Sequence, residues 1–268
     1  MTSPVITVLL PVYRPQLSYL RSAIESMLQQ TFKNFSVLVV EAASDVVIDE
    51  MMANWNDDRI VHHRFPGQAS LVDQLNCGLE LARTPYIARM DGDDWSFPER
   101  LQLQYDYLQR HPEVVVVGSQ LSIMDEHDRP LGRRHYPTEP GHIAATLPRY
   151  NAIAHPSVMY RTEAILKAGG YCFRSYPANE DYELWCRLVR HGKQLANLDQ
   201  TLLRYRIHPG GMKSSRLKGI LRGTRLVKRH YYGGRMNWSQ YSRYLAEGAL
   251  LNLPGWVILR LFQRMSYT

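Results

Sequence analysis

The sequence predicts an α/β protein with a mainly parallel central sheet, helices on both faces and a basic helical extension at its C-terminus. One observation behind this is the alternation of short apolar runs with stretches of helical periodicity through the first half of the chain. Another is a group of three aspartates, Asp91, Asp93 and Asp94, directly after the fourth apolar run, YIARM. The third is charge. Residues 209–268 hold eleven Lys/Arg against one acid, Glu247, so that segment is +10 and leaves −3 on residues 1–208 out of the whole chain's +7.

The elements follow in order. VITVLLPVY is a short strand ended by Pro11, and LSYLRSAIESMLQQ places Leu17, Leu20, Ile24, Met27 and Leu28 on one helical face. FSVLVVE is a second buried strand, with a weaker helical stretch around residues 46–54 and a short third strand in RIVHHR. SLVDQLNCGLELA spaces Leu71, Val72, Leu75 and Leu79 as a helix before the fourth strand. Such alternation favours right-handed βαβ units. After the aspartates, Ser96 with Glu99 three positions on, and Pro98 between them, is the signature of a capped helix start for ERLQLQYDYLQR. EVVVVGSQLSIMDE is a long strand with DRPLGRRHYP as its return arm, and the pattern loosens across residues 125–150. HPSVMYR reads as a strand and TEAILKAGG as a short helix stopped by Gly169–Gly170. EDYELWCRLVRHG is a helix striped by Leu184, Trp185, Leu188 and Val189, and QLANLDQTLLRYRIH supplies one or two closing strands.

With 268 residues, 45% of them hydrophobic, the chain can bury a substantial core. MTSPVITVLLPVY runs straight into a strand, so no signal segment is expected, and no run reaches the roughly 18 apolar residues of a membrane span. Cys77, Cys172 and Cys186 have no metal-binding spacing. They are expected as reduced, buried thiols in a cytoplasmic protein.

In open α/β sheets, ligands lie beyond the carboxyl ends of the strands. Clustered carboxylates raise one another's pKa unless a cation or hydrogen bonds compensate them. Asp91, Asp93 and Asp94 therefore suit a hard divalent ion, Mg²⁺ or Mn²⁺, held together with substrate phosphates. On the acids alone, a plain polar turn leading into a helix is an equal reading.

The wider sequence tips that balance. VLLPVYRP, QTFKNFSVLVVEAAS, LNCGLELARTPYIARMDGDDWSFPERLQLQ and NEDYELWCRLVRHG occur in this order. Together they resemble family 2 glycosyltransferases of the GT-A fold, a Rossmann-like α/β architecture. VVVVGSQLSIMDEHDRPLGRRHYP, AHPSVMYR and LLRYRIHPGG resemble the branch that builds bacterial surface polysaccharides. The resemblance implies a GT-A catalytic domain over residues 1–208, with 1–110 binding the nucleotide sugar and 111–208 the acceptor. Residues 209–268 would be a basic, amphipathic helical segment. It further implies that Asp93 holds the metal and that His208 reaches back to the metal or diphosphate. Asp91 would contact the donor ribose. Pro11, Tyr13, Glu41, Asn76 and Gly92 would line the donor nucleotide's pocket, while Asp94 is left between a supporting role and helix capping.

Inverting transfer needs a carboxylate to accept the acceptor hydroxyl's proton. The resemblance assigns that to Asp181 of the Glu180–Asp181 pair, in a first helical turn where the dipole favours the ionised form. Capping acids are the plainer reading of the pair. His155, Glu180, Trp185 and Arg206 are expected on the acceptor or diphosphate side, with structural histidine, core tryptophan and solvent-facing arginine as the corresponding plain readings. Arg204 is a second candidate diphosphate partner, and Gly210–Gly211 a loop over the donor.

The chain also departs from the family. Glu41-Ala42-Ala43-Ser44 lacks the second acid and the glycine that usually follow the second strand, and Arg14 stands where asparagine commonly follows PVY. UDP is the first expectation for the donor carrier, with dTDP or GDP open. The expected acceptor is a glycan or lipid-linked glycan. Residues 211–235 and ALLNLPGWVILRLFQRM read as a basic, amphipathic segment suited either to an anionic membrane surface on the inner face of the cytoplasmic membrane, or to packing on the catalytic domain or a second subunit of a homo-oligomer. Nucleic acid is not an expected partner, because the basic run carries no binding module and the −3 body opposes it. Two other functions share these features: a nucleotidyltransferase, which would show a Gly-rich basic loop where PVYRPQLSY stands, and an inactive sugar-nucleotide-binding scaffold.

Overall fold

The computed structural model of the chain describes residues 3–46, 48–65, 67–172, 179–208 and 217–253. Its centre is a nine-stranded mixed sheet. In chain order the strands are β1 (Ile6–Val12), β2 (Phe35–Glu41), β3 (Ile60–Arg64), β4 (Tyr86–Arg89), β5 (Trp95–Ser96), β6 (Val114–Met124), β7 (Pro130–Arg134), β8 (Met159–Arg161) and β9 (Gln194–Arg206). They lie in the order β3-β2-β1-β4-β8-β6-β9-β5, with β7 on β6. The first four are parallel neighbours, in register from Ile6 opposite Phe35 to Val12 opposite Glu41. Beyond β4 the sheet alternates: β8 is antiparallel to both neighbours, whereas the long β6 and β9 run parallel.

β1, β2 and β4 are buried on both faces because helices cover both. α1 (Leu17–Leu28) turns Leu20, Ile24 and Met27 onto one side of the sheet, and α3 (Leu71–Leu81) turns Val72, Leu75 and Leu79 onto the other. The approach of α3 is close enough that a Cβ on Gly78 would lie 2.2 Å from Leu9 Cδ1. α3 begins with a capping box in which Ser70 accepts from the Asp73 N–H and Asp73 accepts from the Ser70 N–H. The remaining helices are α2 (Asp49–Ala53), α4 (Arg100–Arg110), α5 (Pro140–Thr146), α6 (Thr162–Lys167), α7 (Glu180–Arg190), α8 (Leu217–Tyr232) and α9 (Trp238–Leu250).

Three sequence expectations change. Ser96 does not cap α4: it lies in β5, paired with Leu203 of β9. The start of α4 is closed instead by Gln30, whose Oε1 accepts from the Leu101 N–H at 3.0 Å while its Nε2 donates to Phe97 O and Ser96 Oγ. HPSVMYR is a 3-10 turn (His155–Ser157) followed by only three strand residues, since Pro156 cannot donate to a ladder. Of the cysteines only Cys186 is buried; Cys77 is half-buried and Cys172 exposed, and all three are free thiols.

α8 packs on α7 and α9 packs on α8. Val227 of α8 belongs to the core cluster shared by α7, β6 and α3, with Tyr231 and Tyr232 against it. Lys228, 1% exposed in its side chain, donates to Glu247 Oε1 of α9 and to Arg149 O, both at 2.6 Å. No described helix is long and apolar enough to cross a membrane.

Candidate active site

The site forms where β1, β2 and β4 end on the same edge of the parallel half-sheet. β4 is buried on both faces up to Met90, and the chain then turns through Asp91–Asp94 before β5. One carboxylate oxygen from each of Asp91, Asp93 and Asp94 lies within 4.8 Å of the other two.

The three acids sit in different surroundings. Asp91 Oδ1 pairs with Arg89 Nη1 at 2.5 Å. Asp93 Oδ2 lies 2.9 Å from His208 Nε2, a residue 115 positions away and two past the end of β9. That hydrogen bond raises the His208 pKa above the ordinary imidazole value. Asp94 is fully buried; its Oδ1 accepts from the Arg206 N–H at 2.9 Å and its Oδ2 has no hydrogen-bond partner. Burial, then the charges of Asp93 and Asp91, push the Asp94 carboxyl well above the usual range.

Asp94 Oδ2 is the observation that tests a cation. A buried carboxylate oxygen without a partner, beside two further acids, is an unfavourable arrangement that a hard divalent ion relieves. The all-oxygen set with one imidazole suits Mn²⁺ or Mg²⁺. Asp93 and Asp94 fit such an ion, with His208 against Asp93 and Asp91 held by Arg89 beside them.

Arg89 escaped the sequence reading, and it stands at the centre of the site's electrostatics. Its side chain is 2% exposed. Burial opposes its charge, but Asp91, Tyr171 and Asp94 outweigh that and hold its pKa above the ordinary value. Arg89 in turn reinforces the effect of burial on His155, whose pKa falls well below normal. The signal in the sequence was an arginine inside a four-residue buried strand, a position where an unpaired charge does not survive. Next to it, Arg100 is also fully buried, donating to Arg89 O at 2.6 Å and Val158 O at 3.2 Å. Burial lowers its pKa to about 9.

α7 brings the second pair of acids. Asp181 sits in its first turn; Oδ2 accepts from Asn151 Nδ2 at 2.8 Å and Oδ1 from the Tyr182 N–H at 2.7 Å. Glu180 is buried, and burial together with the Asp181 charge raises its pKa to about 7. It also feels Arg89 and Asp91, so the α7 acids and the β4 acids share one field. Asn179, directly before the pair, donates to Ile220 O of α8 at 2.9 Å and accepts from Thr224 Oγ1 at 2.9 Å.

Several expected contacts fall elsewhere. Trp185 is fully buried and stands edge-on to His155 with ring centroids 6.1 Å apart, so it backs that histidine instead of lining a pocket. His155 is buried with Nε2 3.0 Å from the Tyr171 hydroxyl. Asn76 bonds the backbone of Tyr171 in both directions at 2.9 Å, which fastens α3 to the turn after Gly169–Gly170. Gly170, at φ +69°, is required there: a Cβ would lie 2.7 Å from Asn76 Oδ1. The Arg206 guanidinium, 2% exposed, binds Asp93 O, Asp125 O and Asp128, so it braces the acid turn from beneath and is not open to a diphosphate. Arg204 lies over the rings of Trp95 and Phe97. Gly210–Gly211 lie outside the described residues.

At the nucleotide end, Pro11 is buried within β1 opposite Val40, while Tyr13 is 53% exposed at the rim and Gly92 is half-buried at the tip of the acid turn. Arg14, at φ 46°, occupies a left-handed conformation in which asparagine is better tolerated, and pairs with Asp45 at 2.8 Å. Glu41 is 2% exposed and already engaged, with His62 Nε2 at 2.9 Å and Arg64 Nε at 3.0 Å. Arg64 also bonds Asp49, so this second acidic group carries its own cation. Gln74, unnoticed in the sequence, donates to Val12 O and Val40 O and ties α3 to the ends of β1 and β2.

A half-parallel sheet with acids at its carboxyl edge, and a carboxylate pair at a helix start within their field, is the layout of an α/β protein whose ligand site lies beyond the strand ends. The chain belongs to glycosyl transferase family 2, whose pattern matches residues 7–167. It is 32% identical to the O-antigen biosynthesis glycosyltransferase WbnJ of Escherichia coli, over 79% of this chain and 83% of that protein. It is 33% identical to the putative glycosyltransferase EpsE of Bacillus subtilis (76% and 74%), and 32% identical to the amylovoran biosynthesis glycosyltransferase AmsE of Erwinia amylovora (70% of each). The structure resembles S. aureus TarS residues 1–349 in complex with UDP-GlcNAc, with TM-score 0.67 and 17% identity over 92% of this chain and 72% of that one. The chain is thus a glycosyltransferase of GT-A-like fold, which removes the nucleotidyltransferase and inactive-scaffold readings.

Proposed function

We propose that this glycosyltransferase moves a sugar, with inversion, from a nucleoside-diphosphate sugar to a glycan or lipid-linked glycan acceptor in bacterial surface-polysaccharide synthesis. The observation that carries the reading is the meeting of Asp93 with His208, 2.9 Å apart across 115 residues, beside Asp91 and Asp94. A diphosphate-binding centre needs that convergence, and a polar turn does not. The names of WbnJ and AmsE support the surface-polysaccharide assignment, and UDP-GlcNAc in the TarS structure supports UDP as carrier. Residues 1–110 would bind the donor and 111–208 the acceptor.

Asp91 is positioned by Arg89 to receive the donor ribose, and Asp93, Asp94 and His208 would hold Mn²⁺ or Mg²⁺. When bound, that ion supplies neutralisation of the leaving diphosphate's charge. Asp181 takes the proton of the acceptor hydroxyl as its oxygen bonds to C1 and the C1–O bond to the diphosphate breaks. Asn151 and the Tyr182 N–H hold both Asp181 oxygens, stabilise the charged form and fix its direction.

The test is nucleoside diphosphate release from a panel of UDP, dTDP and GDP sugars with Mn²⁺, together with thermal shifts for each free diphosphate. Asp181→Asn should retain the shift and lose on the order of 10²–10⁴ in transfer rate. Full activity in that variant would remove Asp181 from the mechanism, and no release from any donor would defeat the reading as a whole.

A further inference from the structure

α8 and α9 form a hairpin whose outward side is unlike the rest of the surface. On α9, Trp238 is 82% exposed, Leu245 50% and Tyr241 45%, with Ala249 exposed in line with them. The spacing 238, 241, 245, 249 is one helical stripe. On α8 the exposed line is Arg222, Leu226 and Arg229, and Arg235 is exposed in the turn between the helices. The two lines meet at a cavity of about 360 Å³ lined by Arg229, Gly233, Gly234, Met236, Tyr241 and Tyr244. Residues 217–253 contain seven Lys/Arg and one acid, Glu247. Glu247 is buried against Lys228 and Arg243, so it puts no negative charge on this face.

We propose that this face docks the enzyme on an anionic membrane surface, with Trp238, Tyr241 and Leu245 entering the interface and Arg222, Arg229 and Arg235 meeting lipid phosphates. An exposed aromatic–aliphatic stripe needs an apolar cover. A face whose only outward charges are cationic selects an anionic one. A second copy of the same face would bring arginines against arginines, which disfavours self-association. Tryptophan and tyrosine beside arginine are the side chains that favour the boundary between headgroups and acyl chains. The inference stands apart from the transfer reaction, since none of these residues touches the acid site.

The full-length chain is sedimented with vesicles of phosphatidylcholine alone, and with vesicles that also contain phosphatidylglycerol. Binding should appear with the anionic vesicles and weaken as salt is raised. Arg229→Gln/Arg235→Gln should weaken it roughly fivefold per arginine, and Trp238→Ala about tenfold or more. Donor turnover and thermal midpoint should stay at wild-type values in both. The proposal is overturned by absence of vesicle binding, by equal binding to both vesicle types, or by variants that bind as wild type does. It is also overturned if the wild type is a dimer in solution that Trp238→Ala dissociates, or if a DNA duplex displaces the vesicles at equal phosphate concentration.

Discussion

Glu180 shows how one buried carboxyl records the state of the whole site. Its pKa near 7 means that it holds a proton in the folded protein at pH values where the unfolded chain has released it. The native state therefore binds more protons than the unfolded state between about pH 4.5 and pH 7, and stability falls as pH rises through that window. Glu180→Gln removes the titration. At about pH 8 the variant should be more stable than wild type by up to about 3 kcal/mol, and near pH 4 it should show no gain. Urea unfolding at the two pH values measures both, and a gain equal at both would assign the effect to packing. At this scale the sequence was informative about residue types and poor about orientation. The three aspartates stood out by their place after the fourth strand, and His208 and Asp181 by the family resemblance; in the fold Asp93 meets His208, and Glu180 beside Asp181 feels the charge of Asp91. Asn76, Trp185 and Arg206 were read toward the ligand, because nothing local distinguishes an amide that binds substrate from one that binds a backbone 95 residues away. Arg89 was passed over because its meaning depends on burial, which appears only once β1 and β8 flank β4.

At the scale of elements, α7 is held from behind. Asn179 joins it to α8 through Ile220 O and Thr224, and Tyr231 of α8 donates to Glu183 at 2.5 Å. Asn179→Ala should cost about 1–3 kcal/mol from these buried hydrogen bonds. It should also lower kcat more than it changes the KM for donor, because Asp181, two positions on, is the proposed base and not a nucleotide contact. Unfolding and steady-state kinetics check both, and an unchanged kcat would show that α7 keeps its position without α8. The elements themselves were largely legible: strand and helix periodicities locate β1 to β4, β6, α1, α3 and α7 closely. The start of α4 was not, because the Leu101 N–H is satisfied by Gln30, 71 residues earlier, and a local capping signature cannot reveal so distant a partner. α5 lay hidden in a proline-rich stretch, since Pro140 at a helix start looks the same as a proline in a loop.

At the scale of the molecule, the charge asymmetry of the sequence becomes a division of surfaces. Seven of the eleven Lys/Arg of residues 209–268 lie in a hairpin of helices, and the body carries the acid cluster. The clasp on Asn179 means that the two are not independent pieces. The family pattern ends at residue 167, before Asp181, Asn179 and the whole of α8. Anyone recombining this chain with a relative at the end of β9 would separate two halves of one joint. A chimera that takes residues 1–208 from this protein and its helical tail from another should fold around an intact acid cluster yet turn over slowly. Activity should return when the donor of the tail also supplies the segment from 179 onward. The joint between Asn179 and α8 therefore puts the crossover point for such chimeras before α7.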